Sequence, residues 1–480
     1  MIKLAKYNKT KMIATIGPAS SDYKTLKSMI LSGVDVCRIN FSHGSHEQHL
    51  EVIKTIEKIN KELNSNVCIL ADLQGPKLRI GEMEDNGVEF KEGQILTIST
   101  EDVIGNHEKI SVTYKFLAKD VKIGENVLLD DGKMEMEFVE ILDEKNVKAM
   151  VKVGGILSSK KGFNLPKTDL TVPCLTKKDL KDLEFILSQE VQWIGLSFVR
   201  HQDDIKILRH YIEGKESDAR IIAKIEKPQA VDNLDEIIKA SDGVMVARGD
   251  LGVEMPMEKV PIIQKDVVRK CIIAAKPVII ATQMMESMIN NPTPTRAEAN
   301  DVANAVIDGA DAVMLSGETS IGKYPLKAVQ AVQRIVSSTE KNSKEVYYKG
   351  KKPKDDSDKF LSDEICFTAV RVSDHVKAKA IVTMTQSGYA AQKISSYRPN
   401  ADLYYFSSNK KILKTLNLVW NLRGFHYNKM ISTDQTIVDV VDILHKEKEL
   451  IKKGDLVINT ASMPIKKKPR TNTLKITEVK

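Results

Sequence analysis

Eight short apolar, β-branched runs punctuate this 480-residue chain, each closing on a polar residue or a glycine and each followed by a helical pattern. They are Met12–Ile16, Val34–Ile39, Val67–Ala71, Trp193–Leu196, Ile221–Ile225, Val244–Ala247, Val278–Ala281 and Ala312–Leu315. Strands that are apolar along nearly their whole length must be covered on both faces, the condition of a parallel sheet packed between helices. Eight such units predict an α/β fold closed into a (β/α)8 TIM barrel rather than an open doubly wound sheet.

The spacing of the runs is regular except between the third and the fourth. There the sequence turns to short alternating segments bounded by glycine: Val88–Phe90, Ile95–Ile98, Lys109–Val112, Val127–Leu129, Met134–Ile141 and Val147–Val153. This predicts an inserted all-β domain over 75–171, a small barrel or sandwich. An insert on a βα loop sits over the catalytic face, so a lid role follows. The barrel then occupies 1–74 and 172–345. A polar, lysine-rich passage, Ser337–Lys359, leads into a C-terminal α/β domain over 346–480, with strands at Ala380–Met384, Leu403–Phe406 and Asp455–Asn459.

Charge argues against a nucleic-acid partner, because 72 basic residues against 65 acidic ones leave only +7, and binding would need the excess clustered. The densest basic groups are Lys349–Lys354, read as a solvated linker, and Lys466–Arg470, whose role stays open. Five scattered cysteines without a Cys-x-x-Cys pair speak against disulfides and structural zinc, and for a reducing cytoplasm. The N-terminus lacks a signal-peptide core and no run approaches 18 apolar residues, so neither export nor a membrane is expected.

In a barrel of this kind the chemistry gathers at the C-terminal ends of the strands. Those ends are Thr15; Arg38 and Asn40; Asp72; Ser197 and Arg200; Lys224 and Glu226; Arg248 and Asp250; Thr282; Ser316 and Glu318. Any one of them could simply be solvated. Together, two cations (Arg38, Lys224) and three carboxylates (Asp72, Glu226, Asp250) describe a site. Glu226 and Asp250, from adjacent strands, suit one Mg²⁺ that keeps positions open for substrate oxygens. Arg38 offers a planar fork for a phosphate, and Lys224 a point charge for a transferring phosphoryl group. The run Met245–Pro256 ends its strand in Arg248-Gly249-Asp250, where backbone amides at a helix start, with Thr282, suit a substrate carboxylate. The pattern fits a small molecule carrying both phosphate and carboxylate, such as phosphoenolpyruvate.

At these residues the sequence resembles the pyruvate kinase family. The segments that carry the resemblance are Thr15–Ser20, Cys37–Gly44, Ala71–Lys77, Ala223–Lys227, Met245–Pro256, Ala281–Ser287, Pro294–Glu298 and Met314–Thr319, in order and at barrel spacing. The resemblance implies a barrel with an inserted β domain and a C-terminal α/β domain, and Mg²⁺-dependent transfer of phosphate from phosphoenolpyruvate to ADP, giving pyruvate and ATP. It implies that Lys224 stabilises the phosphoryl group in flight, Glu226 and Asp250 bind Mg²⁺, and Arg38 holds the phosphate. Ala247, Gly249, Asp250 and Thr282 would hold the carboxylate and enolate, with Ser197 nearby, and protonation would run through water near Thr282 and Ser316. ADP would lie near Pro18, His43, Arg79 and Lys161.

One segment departs from the common pattern. Many members bind K⁺ through groups matching Asn40, Ser42 and Asp72, a threonine after the aspartate and a nearby glutamate. Here Leu73 follows Asp72, and Lys77 takes the glutamate's place. A fixed ammonium can supply the charge of K⁺ and repels a second cation, which implies the potassium-independent, lysine-type branch. An effector site for a sugar phosphate or AMP is plausible at Thr385 and Ser387, and a solvated basic loop is the competing reading. Pro292–Glu298 resembles the family's intersubunit segment, and the Val260–Ala274 helix carries apolar residues on more than one face, so a homotetramer is expected. The alternative function is another Mg²⁺-dependent barrel enzyme of phosphoenolpyruvate or pyruvate, aldolase or lyase in type. It would not need Lys161 or the Pro18, His43 and Arg79 edge. A non-catalytic sensor predicts loss of Lys224, Glu226, Asp250 or Arg38, and all four are present.

Overall fold

A computed structural model describes residues 7–168, 170–353, 358–429, 432–464 and 470–480. The eight apolar runs form the eight strands of one closed parallel barrel. In chain order they are β1 (Lys11–Ile16), β2 (Val36–Asn40), β3 (Cys68–Asp72), β4 (Trp193–Leu196), β5 (Arg220–Ile225), β6 (Gly243–Ala247), β7 (Val278–Ala281) and β8 (Ala312–Leu315). Only Arg38, Asn40 and Arg220 among their residues escape full burial. This is why the runs read as unbroken apolar stretches rather than alternating ones. Helices outside the barrel begin on side-chain caps: Ser45, Thr176 and Thr295 each accept from the amide three residues on.

The polar passage after Val336 is partly helical, because the helix Pro325–Asn342 runs on through it. Its buried face holds Ala328, Val329, Ala331, Val332 and Val336, and Ser338, Lys341 and Asn342 are exposed; the described part of the Lys349–Lys354 cluster, read as a linker, follows outside helix and strand, with Lys351 and Lys352 exposed.

The insert holds a six-stranded sheet and a separate two-stranded one, Val88–Phe90 paired with Gly155–Leu157, around a core of its own, and Arg79 and Ile80 bridge to Gly162 and Val112 beside the two edge strands of the larger sheet. The strands expected between Val88 and Val153 are present, joined by two short ones, Gly155–Leu157 and Phe163–Asn164. The C-terminal sheet has five strands in the order Leu422–His426, Asp402–Ser407, Ala380–Met384, Leu456–Ala461, Thr473–Glu478. Its first and last members were not expected. The Lys466–Pro469 part of the basic cluster lies outside the described residues.

Buried contacts tie the C-terminal domain to the N-terminal end of the barrel. Leu418, in the turn Leu416–Leu418, packs inside the barrel against residues such as Ile13, Trp193 and Met314. Arg398 pairs with Asp311 at 2.8 Å, and the Trp420 amide donates to the same carboxylate at 3.0 Å. All five cysteines are buried and free. Among the described residues no helix is long and apolar enough to cross a membrane.

Candidate active site

The C-terminal mouth of the barrel gathers side chains that the sequence scatters across two hundred residues. Arg38 projects from β2 and Asp72 ends β3, and the two meet through Nε at 2.7 Å and Nη2 at 2.6 Å, both on Oδ2. Arg38 Nη1 also donates to the Thr15 hydroxyl at 3.0 Å. Lys224, from β5, reaches the other carboxylate oxygen of Asp72 at 3.4 Å, Glu226 at 2.9 Å and the Ser197 hydroxyl at 2.8 Å. Asp72 is thus flanked by both cations. Gly195 makes room for it, since a Cβ there would lie 2.8 Å from Asp72 Oδ1.

Electrostatics at this cluster follow from burial and pairing. Burial works against the charged form of Lys224, but Asp72 and Glu226 overcome it and hold the ammonium above its ordinary pKa. Burial likewise opposes ionised Asp72, and Lys224 and Arg38 reverse that, leaving its carboxyl below the usual range. Glu226 goes the other way: burial, with the Asp250 carboxylate adding to it, raises it despite Lys224. Two carboxylates that repel each other, Glu226 buried and Asp250 partly open, suit a divalent cation, which removes the repulsion. Among the described residues no group of three or more His, Cys, Asp or Glu could hold a metal ion. A pair of carboxylates nevertheless fits Mg²⁺, which keeps several positions for water and substrate oxygens.

Backbone shape completes the mouth. After β4 the chain turns left-handed at Phe198 (φ 54°), whose amide donates to Glu226 at 2.6 Å. After β7 both Thr282 (φ 65°) and Gln283 (φ 54°) are left-handed, a costly conformation for a β-branched residue. The Arg248 guanidinium braces that turn: it donates to the Thr282 carbonyl at 2.8 Å and grips Asp301 at 2.7 Å through each of two nitrogens. Arg248 is therefore not part of the charged cluster, and neither is Arg200, which donates to the carbonyls of Leu170 and Val172. Strand-end position alone did not distinguish these braces from the cluster.

A seven-residue helix, Arg248–Glu254, starts directly at the end of β6 with Ala247 as its N-cap, so Gly249 and Asp250 fall in its first turn. The Gly249 amide donates to the Thr282 hydroxyl at 2.7 Å, and that hydroxyl donates to the Ala281 carbonyl. The expected carboxylate-gripping groups therefore hold one another, and an anion would have to replace their bond. Ser316 offers its amide to Glu318 at 2.7 Å. Lys77 points its ammonium at Asp250, 3.5 Å away. Among the described residues no hydrogen bond or ion pair joins Lys77 to Asn40, Ser42 or Asp72; Asn40 instead accepts from the Ser42 amide at 3.1 Å.

The remaining expected residues lie around this cluster or away from it. Pro18 and His43 are exposed, on the loops after β1 and β2. Arg79 and Lys161 belong to the insert, where Arg79 donates to the Lys160 carbonyl and Lys161 pairs with Asp130 at 2.8 Å. Thr385 and Ser387 are in the C-terminal domain: Thr385 accepts from the Gly388 amide at 2.9 Å, and the Ser387 carbonyl accepts from Arg220. Three residues that drew no attention in the sequence also reach the rim of the mouth: Lys227, Glu254 and Asn164. The first two lie inside the motifs quoted above, but only the fold shows that they face each other.

Comparison with known proteins agrees with this architecture. Residues 7–329 match the family model described as pyruvate kinase, barrel domain, and residues 363–477 match pyruvate kinase, alpha/beta domain. The chain is 42% identical over 471 residues to a pyruvate kinase of Geobacillus stearothermophilus, an alignment covering 98% of this chain and 80% of the relative. A pyruvate kinase of Staphylococcus epidermidis is 41% identical over the same length and coverage. The crystal structure of a pyruvate kinase from Cryptosporidium parvum superposes with a TM-score of 0.92 at 35% identity, covering 98% of this chain and 96% of the other. Fold, order of motifs and full-length identity agree, and the chain belongs to the pyruvate kinase family of phosphotransferases.

Proposed function

We propose that this chain moves the phosphoryl group of phosphoenolpyruvate to ADP in the final step of glycolysis, using the cluster at the barrel mouth. The observation that carries this reading is the convergence of Arg38 and Lys224 on Asp72, with Glu226 beside Lys224. Asp72 fixes both cations in place before substrate arrives, so little reorganisation is left for the transition state. Arg38, already oriented as a fork, takes the phosphate. Lys224 faces the charge that spreads over the phosphoryl oxygens as the phosphorus–oxygen bond of the enol breaks and a bond to the β-phosphate of ADP forms. Gly249 and Asp250 amides and the Thr282 hydroxyl receive the carboxylate. The enolate then gains a proton at its methylene carbon, through water ordered by Thr282 and Ser316. Glu226 and Asp250 would hold Mg²⁺, which supplies charge neutralisation to the phosphate oxygens. Pro18, His43, Arg79 and Lys161 form the nucleotide edge, with the insert as a lid. A coupled assay for ATP made from ADP and phosphoenolpyruvate tests the reaction, and no ATP above background would defeat it.

The same reading extends to K⁺. What supports it is a fixed ammonium at the mouth: Lys77 lies 3.5 Å from Asp250, and its charge would take over the role of a monovalent cation there. Activity should therefore be unchanged when K⁺ is replaced by tetramethylammonium. The double variant Leu73→Thr, Lys77→Glu should acquire a K⁺ requirement of about tenfold or more in kcat, matching the loss of one charge close to the transferring group. A homotetramer is supported by the exposed apolar side chains of Met257 and Ile262 on the 257–274 segment. An effector site at Thr385 and Ser387 has less support, since the Thr385 hydroxyl is already engaged. The five free thiols support a reducing, cytoplasmic location.

A further inference from the structure

Glu254 is an odd residue to find at the edge of this site. Its side chain is fully buried, and a single oxygen, Oε1, accepts from both Lys227 at 2.6 Å and Asn164 at 2.7 Å. Its other oxygen is buried with no partner. A carboxylate held this way is costly unless all its neighbours stay in register.

The three partners come from three different pieces of the molecule. Asn164 belongs to Phe163–Asn164, the last strand of the insert. Glu254 ends the helix whose first turn carries Gly249 and Asp250, four residues earlier and so one turn away. Lys227 directly follows Glu226. Asn164 and Lys227 also line a cavity of about 20 Å³ together with Pro76 and Lys77, where the chain enters the insert, and Leu170 and Val172, where it returns. The contact thus sits between both crossings of the chain and both carboxylates of the metal pair.

We propose that Asn164, Glu254 and Lys227 form a joint through which the placement of the insert sets the spacing of Glu226 and Asp250. Glu254 is then a positioning residue for the metal pair, and this rests on the metal assignment given above. Moving the insert pulls on Asn164, Asn164 shares its acceptor with Lys227, and the shared carboxylate is the end of the helix that carries Asp250. Mg²⁺ tolerates little deviation from octahedral geometry, so small changes in this spacing are read as affinity.

The test is Mn²⁺ binding to the full-length protein, followed by electron paramagnetic resonance without substrate. Asn164→Asp places two carboxylates together, and Glu254→Gln removes the charge opposite Lys227; each should weaken Mn²⁺ about tenfold. The swap Asn164→Asp with Glu254→Gln reverses the donor and keeps the bond and the net charge, so it should return affinity to within about twofold of wild type. Single variants that lower the thermal midpoint but leave Mn²⁺ affinity unchanged would overturn the joint, as would a swap that restores the midpoint and not the affinity. Asp250→Asn separates the two ideas. Indifference of Mn²⁺ binding to that change removes the metal assignment and the joint with it, whereas indifference to the Asn164 and Glu254 variants alone removes only the joint.

Discussion

The two ends of the barrel solve opposite problems with the same eight strands. At the N-terminal end the C-terminal domain closes the structure: Leu418 fills the interior, the Trp193 indole donates to the Thr415 carbonyl, and the ion pair Arg398–Asp311 is only 2–3% exposed. At the C-terminal mouth two cations and three carboxylates crowd together, with Lys224 and Arg38 at 11–12% exposure and Asp250 at 30%. At one end each buried cation, Arg398 and Lys11, has a carboxylate partner, Asp311 and Asp35. The other surrounds Asp72 with two cations and puts Glu226 and Asp250 close enough to repel. The lesson is that burial and pairing at one end serve the fold, while at the other they leave charge to be neutralised by what binds.

Variants at the two ends should therefore fail differently. The largest effect is expected for Lys224→Met, which should cut kcat on the order of 10⁴-fold, the worth of a cation placed on a transferring phosphoryl group. Its thermal midpoint should move less than that of the next variant, because Arg38 still pairs with Asp72. At the sealed end, Asp311→Ala strands a buried guanidinium and should cost about 3–5 kcal/mol in chemical denaturation. Its kcat per folded molecule should stay near wild type. A large loss of kcat in the folded Asp311 variant would break the division between the ends. The smallest effect concerns pH. Asp72 is held below the ~3.9 of a free aspartate, so its pairs contribute full stability above that value and lose it as pH falls through the lower folded pKa. Asp72→Asn should consequently show a shallower fall of thermal midpoint below about pH 4 than wild type, read by calorimetry across a pH series.

Much of this was legible in the chain because two-sided burial leaves a plain mark. Each barrel run appears within two residues of its observed strand, and three coincide with it. The strands missed in the C-terminal domain, Leu422–His426 and Thr473–Glu478, are the two edges of its sheet. Edge strands are half solvated, so their residues are only partly buried and carry no apolar run to read. Position at a strand end likewise placed Arg38, Asp72, Lys224 and Glu226 together. It could not separate them from Arg248 and Arg200, since the direction of a long side chain depends on carbonyls supplied by other loops. The Glu254 contact was hidden for a similar reason: its partners lie 27 and 90 residues away.

The five buried cysteines give the molecule an uneven set of internal reporters. Cys68 lies inside the barrel, Cys37, Cys174 and Cys271 between strands and helices, and Cys366 in the C-terminal core. Burial pushes the thiols of Cys37, Cys174 and Cys366 up to about 12, so a thiolate-seeking reagent meets them only after local opening. The insert contains no cysteine at all. Labelling rates would accordingly time the breathing of the barrel and the C-terminal domain separately, while excursions of the insert pass unrecorded.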